Sequence, residues 1–161
     1  MSKTKHIFLL SGIPGSGKST WARTKIYEAG GVWCSRDAVR FEMVKEDEEY
    51  FSREDEVFIE WIRQINEALM DPLVENIYVD ATHLNDKSRN KTLNRLIKDN
   101  IENIYNVVFN TPLDVCIQRN NRRFGRSCVP EDVIKNMYKS FSMPKNYKTI
   151  IIGEDGEEIN E

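Results

Sequence analysis

Five short apolar runs rich in β-branched and aromatic residues punctuate the chain, at residues 7–10, 32–34, 77–79, 105–109 and 149–152. Ile7-Phe8-Leu9-Leu10 and Val107-Val108-Phe109 are apolar at every position, the pattern of strands covered on both faces. The stretches between the runs suit helices, which the spacing predicts over residues 18–28, 36–44, 52–70, 86–100, 113–123 and 130–141. In the third, Val57, Phe58, Trp61, Ile62, Ile65 and Leu69 recur at helical spacing and predict a core-facing stripe. Ser52 followed by Asp55 resembles a capping box with Asp in the last place, and Pro130 suits a first helical turn. Strands alternating with helices predict an α/β domain of three layers around a parallel sheet of four to five strands.

A chain of 161 residues is long enough to bury one substantial core. The expected organisation is one domain over 1–153 and an acidic tail over 154–161, with a turn at Glu154-Asp155-Gly156-Glu157-Glu158. No window approaches the roughly 18 uninterrupted apolar residues of a membrane helix, so the reading is a cytoplasmic protein without a membrane partner. Cys34, Cys116 and Cys128 form no C-x-x-C pair, which suggests neither a disulfide framework nor a zinc knuckle. His6 and His83 likewise lack partners at metal-ligand spacing.

Charge changes the picture through its distribution. The net charge of −3 argues against coating nucleic acid by global attraction. Yet residues 42–60 hold nine acids against Lys45 and Arg53, whereas residues 111–150 hold eight basic residues against Asp114, Glu131 and Asp132. The acidic stretch reads as a solvated helix face, and the basic one as the place where an anion gathers.

The sharpest motif is Gly-Ile-Pro-Gly-Ser-Gly-Lys-Ser at 12–19, a complete G-x-x-x-x-G-K-[ST] loop between a strand and a helix. Glycines at Gly12, Gly15 and Gly17 let backbone wrap a phosphate; Pro14, Ser16 and Thr20 complete the loop and its exit. Lys18 would reach the β and γ phosphates of ATP, and Ser19 would place its hydroxyl on Mg²⁺. Ligands of open α/β sheets bind beyond the strands' carboxyl ends, which directs attention to Ser35-Arg36-Asp37-Ala38-Val39-Arg40 and Asp80-Ala81-Thr82-His83-Leu84-Asn85. Asp37 could accept the proton of an attacking hydroxyl or could cap the helix; Arg40 could grip an acceptor phosphate or pair with a nearby acid. Asp80 suits the outer shell of Mg²⁺, though capping or turn formation would also explain it. Arg119, Arg122, Arg123 and Arg126 crowd a helix end and a glycine-containing loop, as in a lid that donates charge to a transferring phosphoryl group.

Taken in order, residues 12–23, 35–40, 80–85 and Val-Pro-Glu-Asp-Val-Ile-Lys-Asn-Met-Tyr-Lys-Ser at 129–140 resemble the kinase domain of bacteriophage polynucleotide kinase-phosphatase. The resemblance implies an adenylate-kinase-like phosphate-loop fold that moves the γ phosphate of ATP to a 5′-hydroxyl end of DNA or RNA. It also implies a host-cytoplasmic setting if phage-encoded. By it, Lys18, Asp37 and Arg123 are catalytic, with Asp37 the general base, Ser19 serves Mg²⁺, and Arg40 grips the phosphate on the 3′ side of the terminal nucleotide. Asp37 and Thr82 are further candidates for contacting substrate, Asp80 for the outer shell of Mg²⁺, and Arg119, Arg122 and Arg126 for joining the loop in binding ATP. One extra residue between Arg119 and Gly125 leaves Arg122 and Arg126 as alternatives to Arg123. The substrate-site acid of the phage enzyme falls at Ala81, with Asp80 one position earlier. Where the bifunctional enzymes open a phosphatase domain with D-x-D-G-T, this chain has Ile150-Ile151-Ile152-Gly153-Glu154-Asp155-Gly156-Glu157, glycine replacing the nucleophilic Asp. A turn between short strands is the plainer account. Two rivals stay open: a kinase of a small hydroxylated molecule such as a nucleoside or antibiotic, and an ATP-dependent switch or adaptor.

Overall fold

A computed structural model describes residues 3–125 and 128–159. Its elements run β1 (Lys5–Ser11), α1 (Lys18–Ala29), β2 (Val32–Ser35), α2 (Arg36–Met43), α3 (Glu54–Met70), β3 (Asn76–Asp80), α4 (Asp86–Leu93), β4 (Ile101–Phe109), α5 (Leu113–Asn121), α6 (Glu131–Ser140) and β5 (Lys148–Ile152). The five strands are all parallel, in the order β2-β3-β1-β4-β5. Register aligns Leu10 with Asp80, and Ser35 with Asp80, so the segments leaving β1, β2 and β3 emerge together at the carboxyl edge.

Both sheet faces are covered, as the uniformly apolar strands require. On one face the α3 stripe of Val57, Phe58, Trp61, Ile62, Ile65 and Leu69 packs with Ile7, Leu9, Ile77 and Val79, and with Leu93 and Leu96 from α4 and the turn after it. On the other, Trp21 and Ala22 of α1 meet Leu10, Tyr78, Val107, Phe109 and Ile152. Ile13, Cys116 and Ile134 form a smaller cluster beneath α5 and α6. Among the described residues no helix is long and apolar enough to cross a membrane.

Several predicted boundaries shift for identifiable reasons. Helix α4 ends at Leu93 instead of residue 100, because Asn66 of α3 captures the next backbone groups: its Nδ2 donates to Arg95 O at 3.0 Å and its Oδ1 accepts from Ile97 N at 2.9 Å. Ser52 does not cap α3. Its hydroxyl donates to Glu49 O at 2.6 Å within the preceding turn, and Arg53 occupies the N-cap without a capping hydrogen bond from its side chain. Strand β4 starts four residues before the apolar run, where Ile101 and Ile104 pack on the core through the polar interruption. Beyond β5 the chain turns at residues 153–156 and returns, with Ile152 bridging Glu158 and Ile159 N donating to Ile151 O at 2.8 Å.

Candidate active site

The phosphate loop owes its shape to close backbone approaches. Gly15 has φ +83°, and a Cβ there would stand 2.5 Å from the Cys116 carbonyl oxygen; Gly17 has φ +101° and is the N-cap of α1. Gly12 lies beneath the loop, its N–H donating to Thr82 O at 2.9 Å, and a Cβ on it would meet Ser16 Oγ at 2.5 Å. That Ser16 hydroxyl is buried and has no hydrogen-bond partner among the described residues. A buried hydroxyl without a partner is costly unless a ligand completes it, and a loop that no side chain could fill is the shape an oxyanion group fits.

Lys18 and Ser19 open α1 directly after the loop. The Lys18 ammonium donates to Gly12 O at 2.8 Å and Ile13 O at 3.2 Å. Burial pulls its pKa below the ordinary lysine value, against the opposing pull of the Asp80 and Asp37 carboxylates. Asp80, at the end of β3, is 5% exposed, and burial raises its pKa while Lys18, the Trp33 indole and Ser19 oppose that rise. Mg²⁺ keeps several waters and takes few protein ligands besides phosphate oxygens, so the Ser19 hydroxyl and a nearby buried carboxylate fit such an ion.

Two cavities meet here. A cleft of about 710 Å³ runs from residues 14–20 past Trp21 and Phe109 to Arg119 and the turn at 153–157. A second, of about 520 Å³, lies toward α2 and α3, walled by Trp33, Arg36, Arg40, Phe51, Thr82 and Met137. Pro14, Lys18, Ser19, Asp37 and Arg123 line both. The shared residues form the junction between the two.

At that junction the helix cap of α2 is Ser35, whose Oγ accepts from Ala38 N at 3.1 Å, so Asp37 is released from capping and keeps a side chain 74% exposed. Asp37 Oδ1 accepts from Arg40 Nη1. Arg40 also makes a two-point pair with Glu54, Nε–Oε2 2.7 Å and Nη2–Oε1 2.6 Å, and lies over the rings of Tyr50 and Phe51. Burial alone would lower the Arg40 pKa, but the Glu54 hydrogen bonds and the Asp37 charge outweigh it and hold the value above that of free arginine. The alternative of a nearby acid as Arg40's partner is thus realised, and Glu54, read in sequence as part of a solvated face, is half-buried to serve it.

The arginine-rich segment divides its labour. Arg119 donates to Gly15 O at 3.2 Å and Glu154 O at 2.8 Å, latching the loop to the turn after β5. Arg123 lines both cavities, Arg122 is exposed and lines neither, and Arg126 lies outside the described residues. Sequence reading missed the clamp at the segment's base: the buried Asn120 amide accepts from Val129 N at 2.9 Å and donates to Val129 O at 2.6 Å. It also missed Arg89, 2% exposed, which joins Ser11 Oγ, Asp86 and Ser142 O. An arginine on a predicted helix carries no signal that it turns inward.

Residues 7–144 match the AAA domain family, and the chain belongs to it. The fold is that of phosphate-loop kinases. An L-seryl-tRNA(Sec) kinase of Methanococcus maripaludis is 27% identical over 141 residues, 86% of this chain and 53% of that protein, so the chain spans about half the length of this curated relative. Among solved structures, a chain of the Pnkp1/Rnl/Hen1 RNA repair complex superposes with a TM-score of 0.68 at 21% identity, over 87% of this chain and 45% of that one. A sugar kinase from Janibacter sp. gives 0.60 at 19% identity, over 94% and 86%.

Proposed function

We propose that this domain transfers the γ-phosphoryl group of ATP to the 5′-hydroxyl end of DNA or RNA. The observation that carries the reading is the meeting of a donor cleft and an acceptor cavity at Lys18, Ser19, Asp37 and Arg123. Phosphoryl transfer asks little covalent chemistry of the protein beyond placing the two reactants in line and compensating charge. Asp37 takes the proton of the attacking hydroxyl as its oxygen bonds to the γ phosphorus and the bond to the ADP oxygen breaks. Lys18 and Arg123 offset charge on the transferred group, with Lys18 leaving the loop carbonyls for the phosphates. Ser19 and Asp80 would hold Mg²⁺, which supplies charge neutralisation between β and γ phosphates when bound.

The nucleic-acid acceptor is supported by the sequence elements at 35–40 and 129–140, and by likeness to a kinase named for seryl-tRNA and to a chain of an RNA repair complex. One observation favours a smaller, less charged acceptor: Arg40's fork is filled by Glu54 and Asp37, beside the acid-rich stretch 42–60. Labelled ATP offered with 5′-hydroxyl oligonucleotides, nucleoside 3′-phosphates, free nucleosides and sugars tests both. Label on oligonucleotide ends is expected; transfer only to free nucleosides or sugars would replace the reading with the second.

A further inference from the structure

Trp33 ties the metal side of the junction to the acceptor side. It stands on β2 opposite Tyr78 of β3, forms part of the acceptor cavity wall, and donates its Nε1–H to Asp80 Oδ2 at 2.9 Å. Its ring packs against the buried cluster that contains Trp21 and Tyr78, with the Arg23 guanidinium 5.6 Å from the ring centroid.

The choice of donor matters. An indole has one N–H and no acceptor, so it fixes a single carboxylate oxygen and the rotation of the group. It does so without a full positive charge, whereas an arginine or lysine there would neutralise the carboxylate and repel a cation. A carboxylate so held loses orientational freedom while its donor adds no full charge to compete with Mg²⁺, the way outer-shell partners tune metal sites.

We infer that Trp33 is a positioning residue: its indole N–H sets the orientation in which Asp80 serves Mg²⁺, and its ring carries acceptor occupancy to that carboxylate. The inference rests on the Mg²⁺·ATP reading of the phosphate loop and is independent of which hydroxyl compound fills the acceptor cavity. No sequence motif marks it, since a tryptophan in an apolar strand reads as core.

Heteronuclear NMR on the full chain tests this in the unmodified protein. The three indole N–H signals of Trp21, Trp33 and Trp61 are resolvable by through-bond assignment, and Trp61, bonded to Cys34 O at 2.9 Å, serves as internal control. With a non-hydrolysable ATP analogue present, added Mg²⁺ should shift the Trp33 signal and leave Trp61 in place. Whichever acceptor takes label in the transfer assay should then shift it again. Trp33→Phe, which keeps a ring and removes the N–H, should raise the Mg²⁺ concentration for half-maximal nucleotide binding by about tenfold, with metal-free nucleotide binding unchanged. A Trp33 signal indifferent to Mg²⁺, or wild-type Mg²⁺ dependence in Trp33→Phe, overturns the positioning role. Response to Mg²⁺ but not to the acceptor overturns the coupling. If the analogue does not bind at all, the triphosphate reading itself has failed, a result distinct from the other two.

Discussion

The proposed donor cleft and acceptor cavity share a junction but are built from different materials. On the donor side, shape comes from backbone: glycines with positive φ, a Cβ-excluding approach of Gly15 to Cys116, and carbonyls holding Lys18. On the acceptor side it comes from side chains paired across elements, Arg40 with Glu54 and Asp37 and Trp33 with Asp80. A backbone cradle reads a group common to every nucleoside triphosphate, whereas a wall of paired side chains can be re-specified one residue at a time. A phosphate loop therefore points to the donor, while members of one fold differ in acceptor.

Substitutions at the junction should have the largest effects. Lys18→Ala and Asp37→Asn should each lower kcat in the phosphate-transfer assay by ~10²-fold or more, the range for a key charge donor and a general base; full turnover in either removes that residue from the mechanism. Asp37→Asn should leave the KM for ATP near its starting value, because the proposed role of Asp37 lies in the chemistry and not in the cradle.

The fixed character of the donor side has its own test. His83, in the loop after β3, donates Nδ1–H to Leu10 O at 2.6 Å and accepts at Nε2 from Thr92 Oγ1 at 3.0 Å, and burial holds its pKa at about 4 against an ordinary 6.5. Below pH 6.5 the unfolded chain therefore binds a proton that the folded chain refuses. The stabilisation is complete above pH 6.5 and is lost progressively as pH falls toward 4, by about 3 kcal/mol in all. Thermal unfolding from pH 7 to pH 4 should show this slope, and His83→Asn should flatten it; an unchanged slope would assign the acid sensitivity to other groups.

Smaller effects separate the acceptor readings. Arg40→Ala should weaken binding of a nucleoside 3′-phosphate by about tenfold relative to the free nucleoside, the loss of one charge-assisted contact, with little effect on ATP. Glu54→Gln should do the opposite by loosening the competing fork. Equal effects on both acceptors would assign the Arg40–Glu54 pair to holding α2 against α3.

Much of this was legible beforehand for reasons of short range. Five apolar runs marked five strands, the α3 stripe faced the core, and the loop at 12–19 fell between strand and helix, because periodicity and glycine conformation are local properties. What escaped prediction involved competition at a distance. The Ser52 cap lost to a turn with Glu49, the end of α4 was decided by Asn66 of another helix, and Glu54 passed for solvated until α3 packed against α2.

By itself the sequence determined the order of elements, the burial of both sheet faces and the presence of a phosphate-wrapping loop, since each follows from neighbours within a few residues. Only the tertiary structure decided that Asp37 is free of capping, that Arg40 is already paired, that Arg123 and not Arg122 lines the junction, and that Trp33 reaches Asp80. Those outcomes depend on which side chains the parallel register and helix packing bring within hydrogen-bond reach, and residues 47 positions apart carry no mark of meeting until the sheet is assembled.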